Sequence, residues 1–389
     1  MALSTQRNTA TALAVALLAA ACPLAWPSAC RAVETIAFVD DDGRQTVEGR
    51  ALVRDSVGGA LLQSDDGALW LITGDSVVSS RSDARSFAPV SDDELKRRLL
   101  ATLPTGFQVY STPHYLVAYN TSRDFAKWTA SMLERLQRAF VNYWSRQGFD
   151  LQEPEFPLVV TIYADRASYR RAAQRDLGNA TGVVGYYSLR TNRVTMFDLT
   201  GAEEARGGGG RRSSLKEINQ ILATPAALPL VATVVHEATH QIAFNCGLQQ
   251  RFADLPLWLV EGMAVYFEAP DLSSSRGWRG IGKINYLRLE TFRKNLGAWR
   301  EPSLRTLIAD SRRFRDPRTA VDAYADAWAL NYFLIKYRSK QYNAYLRAMA
   351  EKPPLGDSTA DERVAEFEEH FGDLGELQRD FLRQMSRLR

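Results

Sequence analysis

The sequence is poor in cysteine and histidine, with three of one and four of the other among 389 residues. Cys22 and Cys30 fall in a first segment that reads as removable, so the remaining chain keeps only Cys246. A single thiol excludes an intramolecular disulfide and leaves stability to packing. Cys246 directly follows a histidine-bearing helix and has no spare histidine beside it, so it reads as a small buried residue rather than a nucleophile. Charge of one sign is also scarce: the formal net charge is +3, with acids and bases interspersed, which argues against a nucleic-acid partner. Long apolar runs are missing too. The run from Ala10 to Ala21 is shorter than the ~20 residues of a membrane span, and Pro23 and Pro27 follow it.

With one arginine and no acid before it, that run reads as the core of a secretory signal peptide over residues 1–32, with Cys30 and Ala32 at the recognition positions. The protein is therefore expected to be exported to the periplasm, cell envelope or medium, with no stable membrane span after cleavage. Lipid attachment at Cys22 is the weaker reading, because three alanines precede it.

What is present is ordinary globular material, 46% hydrophobic and 24% charged, long enough for two cores. The expected fold class is α+β: a small all-β module over 33–90, a linker helix over 91–103, a main domain over 104–350 and a helical extension over 351–389. In the first module, short apolar runs alternate with turns, and Asp-Asp-Gly recurs at 41–43 and 65–67. Ser91 is placed to cap the linker helix. The main domain opens with a strand over 107–120. It continues with an amphipathic helix over 122–146, a strand at 157–164, a helix at 166–177 and a hairpin turning at Thr191 and Asn192. Residues 201–216, with four consecutive glycines, read as a mobile loop, and the pattern beyond Pro225 is helical.

The stretch LPLVATVVHEATHQIAFN carries the chemistry. His236 and His240, four residues apart, share one helix face, where two imidazole nitrogens can hold one metal ion. Glu237, beside the first of them, is placed to take a proton from a metal-bound water. Leu228 to Val235 are nearly all apolar, so the helix is buried and its polar residues need a purpose. Downstream, LPLWLVEGMAVYFE sets Glu261 among apolar residues, and metal binding is the best account of a carboxylate there. Gly262 removes a side chain where the two helices that carry these residues must come close. Two imidazoles and a carboxylate suit Zn2+ above magnesium or calcium and leave a coordination position open, as a catalytic site requires.

The pair HEATH and WLVEGMAVYFE resembles the gluzincin zinc metallopeptidases. The resemblance implies a zincin-like domain in which His236, His240 and Glu261 bind zinc and Glu237 is the general base. More narrowly, PTGFQVYSTPHYLVAYNTS, NRVTMFD, HEATHQIAFN and WLVEGMAVYFEAP resemble a bacterial family catalogued as a domain of unknown function (DUF1570). The chain departs from the aminopeptidase branch in having no Gly-x-Met-Glu-Asn segment, which points to an endopeptidase. It also lacks the late histidine that thermolysin-like enzymes use, since His370 lies among acids at helical spacing and reads as a surface residue. YADAWALNYFLIKY resembles the helix that carries a tyrosine in related zincins. That implies Tyr324 as donor to the developing oxyanion, against the plainer reading that it packs. Tyr186 and Tyr187 are candidates for holding an extended peptide along an edge strand, against the plainer reading of strand aromatics.

The expected activity is zinc-dependent hydrolysis of a peptide or protein substrate by a metal-activated water. The alternative is an envelope binding or scaffold protein that keeps the fold with little or no turnover, against which the intact Glu237 argues.

Overall fold

The computed structural model describes residues 32–178, 182–201, 214–273 and 278–389. Apart from Ala32, the expected signal peptide lies outside the described residues, and so does the stretch 202–213 of the glycine-rich loop. No described helix is long and apolar enough to cross a membrane. The fold is α+β, with two five-stranded sheets in the first half and helices in the second.

Strands β1 (Ala32–Asp40), β2 (Gly43–Arg54), β3 (Ala60–Ser64), β4 (Leu69–Ile72) and β5 (Val77–Ser86) form an antiparallel sheet in the order β4-β3-β2-β1-β5. The two Asp-Asp-Gly signals are its tight turns: Gly43 and Gly67 sit at φ +101° and +82°, a region open to glycine. Ile36, Phe38, Val47, Leu62 and Ile72 form its small core. Helix α1 (Asp92–Thr102) follows, with the Ser91 hydroxyl accepting from the Glu94 amide.

The second sheet contains β6 (Gln108–Ser111), β7 (Tyr115–Tyr119), β8 (Leu158–Tyr163), β9 (Gly185–Ser188) and β10 (Arg193–Phe197), in the order β6-β7-β8-β10-β9. β7, β8 and β10 run parallel, with α2 (Arg123–Arg146) and α3 (Arg166–Leu177) following β7 and β8. The expectation of one strand over 107–120 is corrected: the chain reverses at Thr112–His114 into an antiparallel pair. Pro113 cannot donate to a ladder, and the Thr112 amide closes the turn on the Tyr115 carbonyl at 2.9 Å. The β9–β10 turn falls where expected, with Asn192 at φ +59°.

Beyond it come α4 (Leu215–Leu222), α5 (Leu228–Asn245), α6 (Leu257–Phe267), α7 (Tyr286–Lys294), α8 (Ser303–Ala309), α9 (Arg312–Arg315), α10 (Ala320–Tyr337), α11 (Ser339–Ala350), α12 (Ala360–Phe371) and α13 (Leu374–Arg387). A single hydrophobic core runs from Leu95 in α1 to Met385 in α13 and encloses α5, α6 and α10. The first sheet docks on this body near the β9–β10 turn. The Leu69 amide donates to the Arg190 carbonyl at 2.7 Å, and buried Arg251 donates to the carbonyls of Gly67 at 2.9 Å and Leu189 at 3.2 Å.

Candidate metal centre

The centre is built where α5 and α6 cross beneath the edge strand β9. Pro229 in the first turn of α5 forgoes a donor that has no partner there anyway. The helical period then brings His236 and His240 to one face, both buried. α6 contributes Glu261, also buried. His236 Nε2 lies 3.0 Å from Glu261 Oε2 and 3.1 Å from His240 Nε2, and the third side of the triangle is 3.5 Å. Donors held about 2.0–2.1 Å from one tetrahedral ion would stand roughly 3.3 Å apart, close to these spacings.

Gly262 explains how Glu261 is held so deep. A Cβ at this position would stand 2.0 Å from Asn331 Nδ2 and 2.4 Å from the Ala327 carbonyl oxygen. The close partner is therefore α10, not the α5 helix with which α6 forms the candidate metal site. Asn331 also donates to the Trp258 carbonyl at 2.8 Å, tying α10 to the first turn of α6.

Glu268, at the end of α6, was not singled out in the sequence. Seven residues after Glu261, it returns to the same helix face, and that spacing was the available signal. Its Oε2 lies 3.2 Å from His236 Nδ1, and its Oε1 accepts from Asn285 Nδ2 at 2.7 Å. With His236 donating Nδ1–H to Glu268, its Nε2 turns a lone pair toward Glu261 and His240. Three donor atoms converge, and their repulsion is relieved either by a metal ion among them or, without one, by a proton on His236. The acid–base balance shows how strongly the metal-free site draws that proton. Burial disfavours the His236 imidazolium, but Glu261 and Glu268 on either side outweigh it and hold its pKa up to about 9. Burial pushes Glu261 up, and the neighbouring histidines more than reverse this, keeping its carboxyl well below the usual range. Among the described residues, His236, His240 and Glu261 form the one group of this kind that could hold a metal ion.

Glu237 faces the sheet. Its Oε2 accepts from the Tyr187 backbone amide at 2.9 Å, and burial raises its carboxyl pKa above the ordinary value. Tyr324 of α10 closes the other side, its ring centroid 6.2 Å from that of His236. Its hydroxyl donates to Glu261, and burial, together with the charges of Glu261 and Glu237, pushes its pKa well up.

The rings of Tyr186 and Tyr187 lie elsewhere. Tyr186 donates to Asp176 of α3, while Tyr187 donates to Asn192 at 2.7 Å and stacks on Phe244. What β9 brings to the centre is the Tyr187 backbone. His370 is in α12 against Tyr345, and Cys246 caps α5 with its thiol pushed up to about 12 by burial.

A family model described as "Protein of unknown function (DUF1570)" matches residues 230–356, a span that includes His236, Glu237, His240, Glu261, Glu268 and Tyr324. This is the family that the sequence resembles. No curated protein matches the chain.

Proposed function

We propose that the protein is an exported zinc-dependent peptidase of the gluzincin type, most simply an endopeptidase, with His236, His240 and Glu261 as metal ligands and Glu237 as general base. The observation that carries this reading is the juxtaposition of a His-His-Glu triangle at metal-ligand spacing with a separate buried carboxylate that is free of it. A structural zinc would need a fourth protein ligand, whereas this donor set has three. Zinc, when bound, acts as a Lewis acid that polarises a carbonyl and brings the pKa of water toward about 7.

The remaining work falls to the chain's own groups. Glu237, with one oxygen fixed by the Tyr187 amide, takes a proton at the other and returns it to the leaving amine; its raised pKa suits both transfers. Glu268 fixes the tautomer of His236. Tyr324 is a neutral donor beside the ligands, placed to meet negative charge developing on the substrate oxygen. Because the Tyr187 amide points out of the β9–β10 ladder, the backbone of Gly185, two residues earlier, faces the same way. An extended peptide can pair along that edge, so backbone takes the role first sought in the tyrosine rings.

Export rests on the leader-like first segment. The test is cleavage of an unfolded protein before chelation, after chelation and after zinc is restored. Loss and recovery support the reading. Cleavage that survives complete removal of metal overturns it, and stable zinc binding without cleavage favours the scaffold alternative.

A further inference from the structure

Arg288 stands in the first turn of α7, with Asn285 as the helix N-cap. Its side chain is 14% exposed, and its Cζ lies 5.6 Å from the centroid of the Tyr324 ring. Its Nε is buried and has no hydrogen-bond acceptor among the described residues. The nearest carboxylate, Glu268, is 3.7 Å from Nε, which is beyond a hydrogen bond. Both Glu268 oxygens are already engaged, one with His236 and one with Asn285. Glu268 therefore offsets the charge of Arg288 without filling its donors.

Two other guanidinium groups in this half of the molecule, also drawn into the body, have partners. Arg313 bonds Asp326 at 2.8 Å, and Arg251 holds two carbonyls. A guanidinium stays charged at any ordinary pH and presents a planar fork of donors that matches a carboxylate in two parallel hydrogen bonds. Burying one beside a metal centre with a donor left empty is costly unless an acceptor arrives from outside. The positive end of α7, on whose first turn the side chain stands, favours an anion at the same place.

We infer that Arg288 is an anchor for a substrate carboxylate, either the α-carboxylate at a peptide's C-terminus or the side chain of an aspartate or glutamate. The carboxylate lies beside Tyr324, within one or two residues of the bond presented to the metal ligands. What then happens to the peptide rests on the peptidase reading; the binding itself needs only the site. Arg288 thereby sets specificity, and peptides lacking a carboxylate at that position bind weakly.

Glu237→Gln protein loaded with zinc permits binding to be read without turnover by titration calorimetry. The probes are acetyl-Ala-Ala-Phe with a free C-terminus, its amide, and acetyl-Ala-Glu-Phe amide. At least one carboxylate-bearing peptide is expected to bind at least tenfold tighter than the plain amide. A preference for the free acid identifies the chain terminus, and a preference for the glutamyl amide identifies a side chain. Adding Arg288→Gln is expected to abolish the preference. Arg288→Lys, which keeps the charge but not the fork, is expected to lose most of it, and serves alone if the glutamine variant does not fold. Equal binding of all three peptides, binding of none, or a preference that survives both substitutions overturns the inference. Cleavage of an unfolded protein by the parent enzyme is scored separately. Cleavage without a carboxylate preference sinks only this inference, and a carboxylate preference without cleavage sinks only the peptidase reading.

Discussion

Tyr187 and Glu237 meet at the edge of the second sheet, where the backbone amide of one donates to the carboxylate of the other at 2.9 Å. The bond ties β9 to the centre and fixes one Glu237 oxygen, leaving the other for the proton transfer we propose. It belongs to the backbone, so the Tyr187 ring is dispensable to the chemistry. Tyr187→Phe removes the hydroxyl's bonds to Asn192 and Asn245, while Asn192 Oδ1 still accepts from Asn245 at 2.7 Å. The expected cost is about 1 kcal/mol in urea unfolding, with cleavage per folded molecule unchanged. A large fall in kcat would place the ring at the site after all.

Glu268 should act through the metal. Glu268→Gln keeps the shape but removes the charge that orients His236, and zinc affinity is expected to fall by about 10- to 100-fold in a chelator competition. Cleavage should return when zinc is supplied in excess. If it stays low at saturating zinc, Glu268 has a part beyond holding its histidine.

Gly262 is a packing constraint on Glu261. Asn331 can swing away from an added Cβ, but the Ala327 carbonyl, 2.4 Å from that position, is backbone. Gly262→Ala is expected to cost about 1–3 kcal/mol through overpacking and to weaken zinc binding, because α6 must shift from α10. Unfolding curves and metal titration check both, and an unchanged midpoint would contradict the contact.

Asp326 supplies a pH dependence. Burial outweighs its 2.8 Å bond to Arg313 and holds its carboxyl up to about 6, against an ordinary 3.8. A raised carboxyl pKa contributes stability that is complete below the unfolded value and is lost as pH climbs through the folded one. At ~1.36 kcal/mol per unit, this group withdraws about 3 kcal/mol between pH 4 and pH 7. Asp326→Asn removes that loss, so the stability of the variant relative to the parent should rise over the same interval. A difference that does not vary with pH would contradict the account.

The grouping of the candidate metal ligands was legible because they obey local rules. His236 and His240 share a face by spacing alone, and Glu261 stands out as a carboxylate in an apolar helix. Glu268 was missed because it sits at a helix end, where an acid draws no attention until helix phase is counted from Glu261. The reason given for Gly262 was sound but the partner was not, because α10 begins nearly sixty residues later and no local pattern announces its approach. The same holds for Arg288, which looks like one more helix cation until the fold places it against Tyr324, and for Arg251, whose burial depends on the docking of the first sheet. The one-strand reading of 107–120 failed because the apolar character continues on both sides of Pro113.

The central claim is tested most directly by measuring zinc content and cleavage of an unfolded protein side by side, on the chain from Val33 onward and on its Glu237→Gln variant. One zinc per chain in both, with cleavage only by the parent, is the expected result. No bound zinc in the parent, or equal cleavage by the variant, would contradict it.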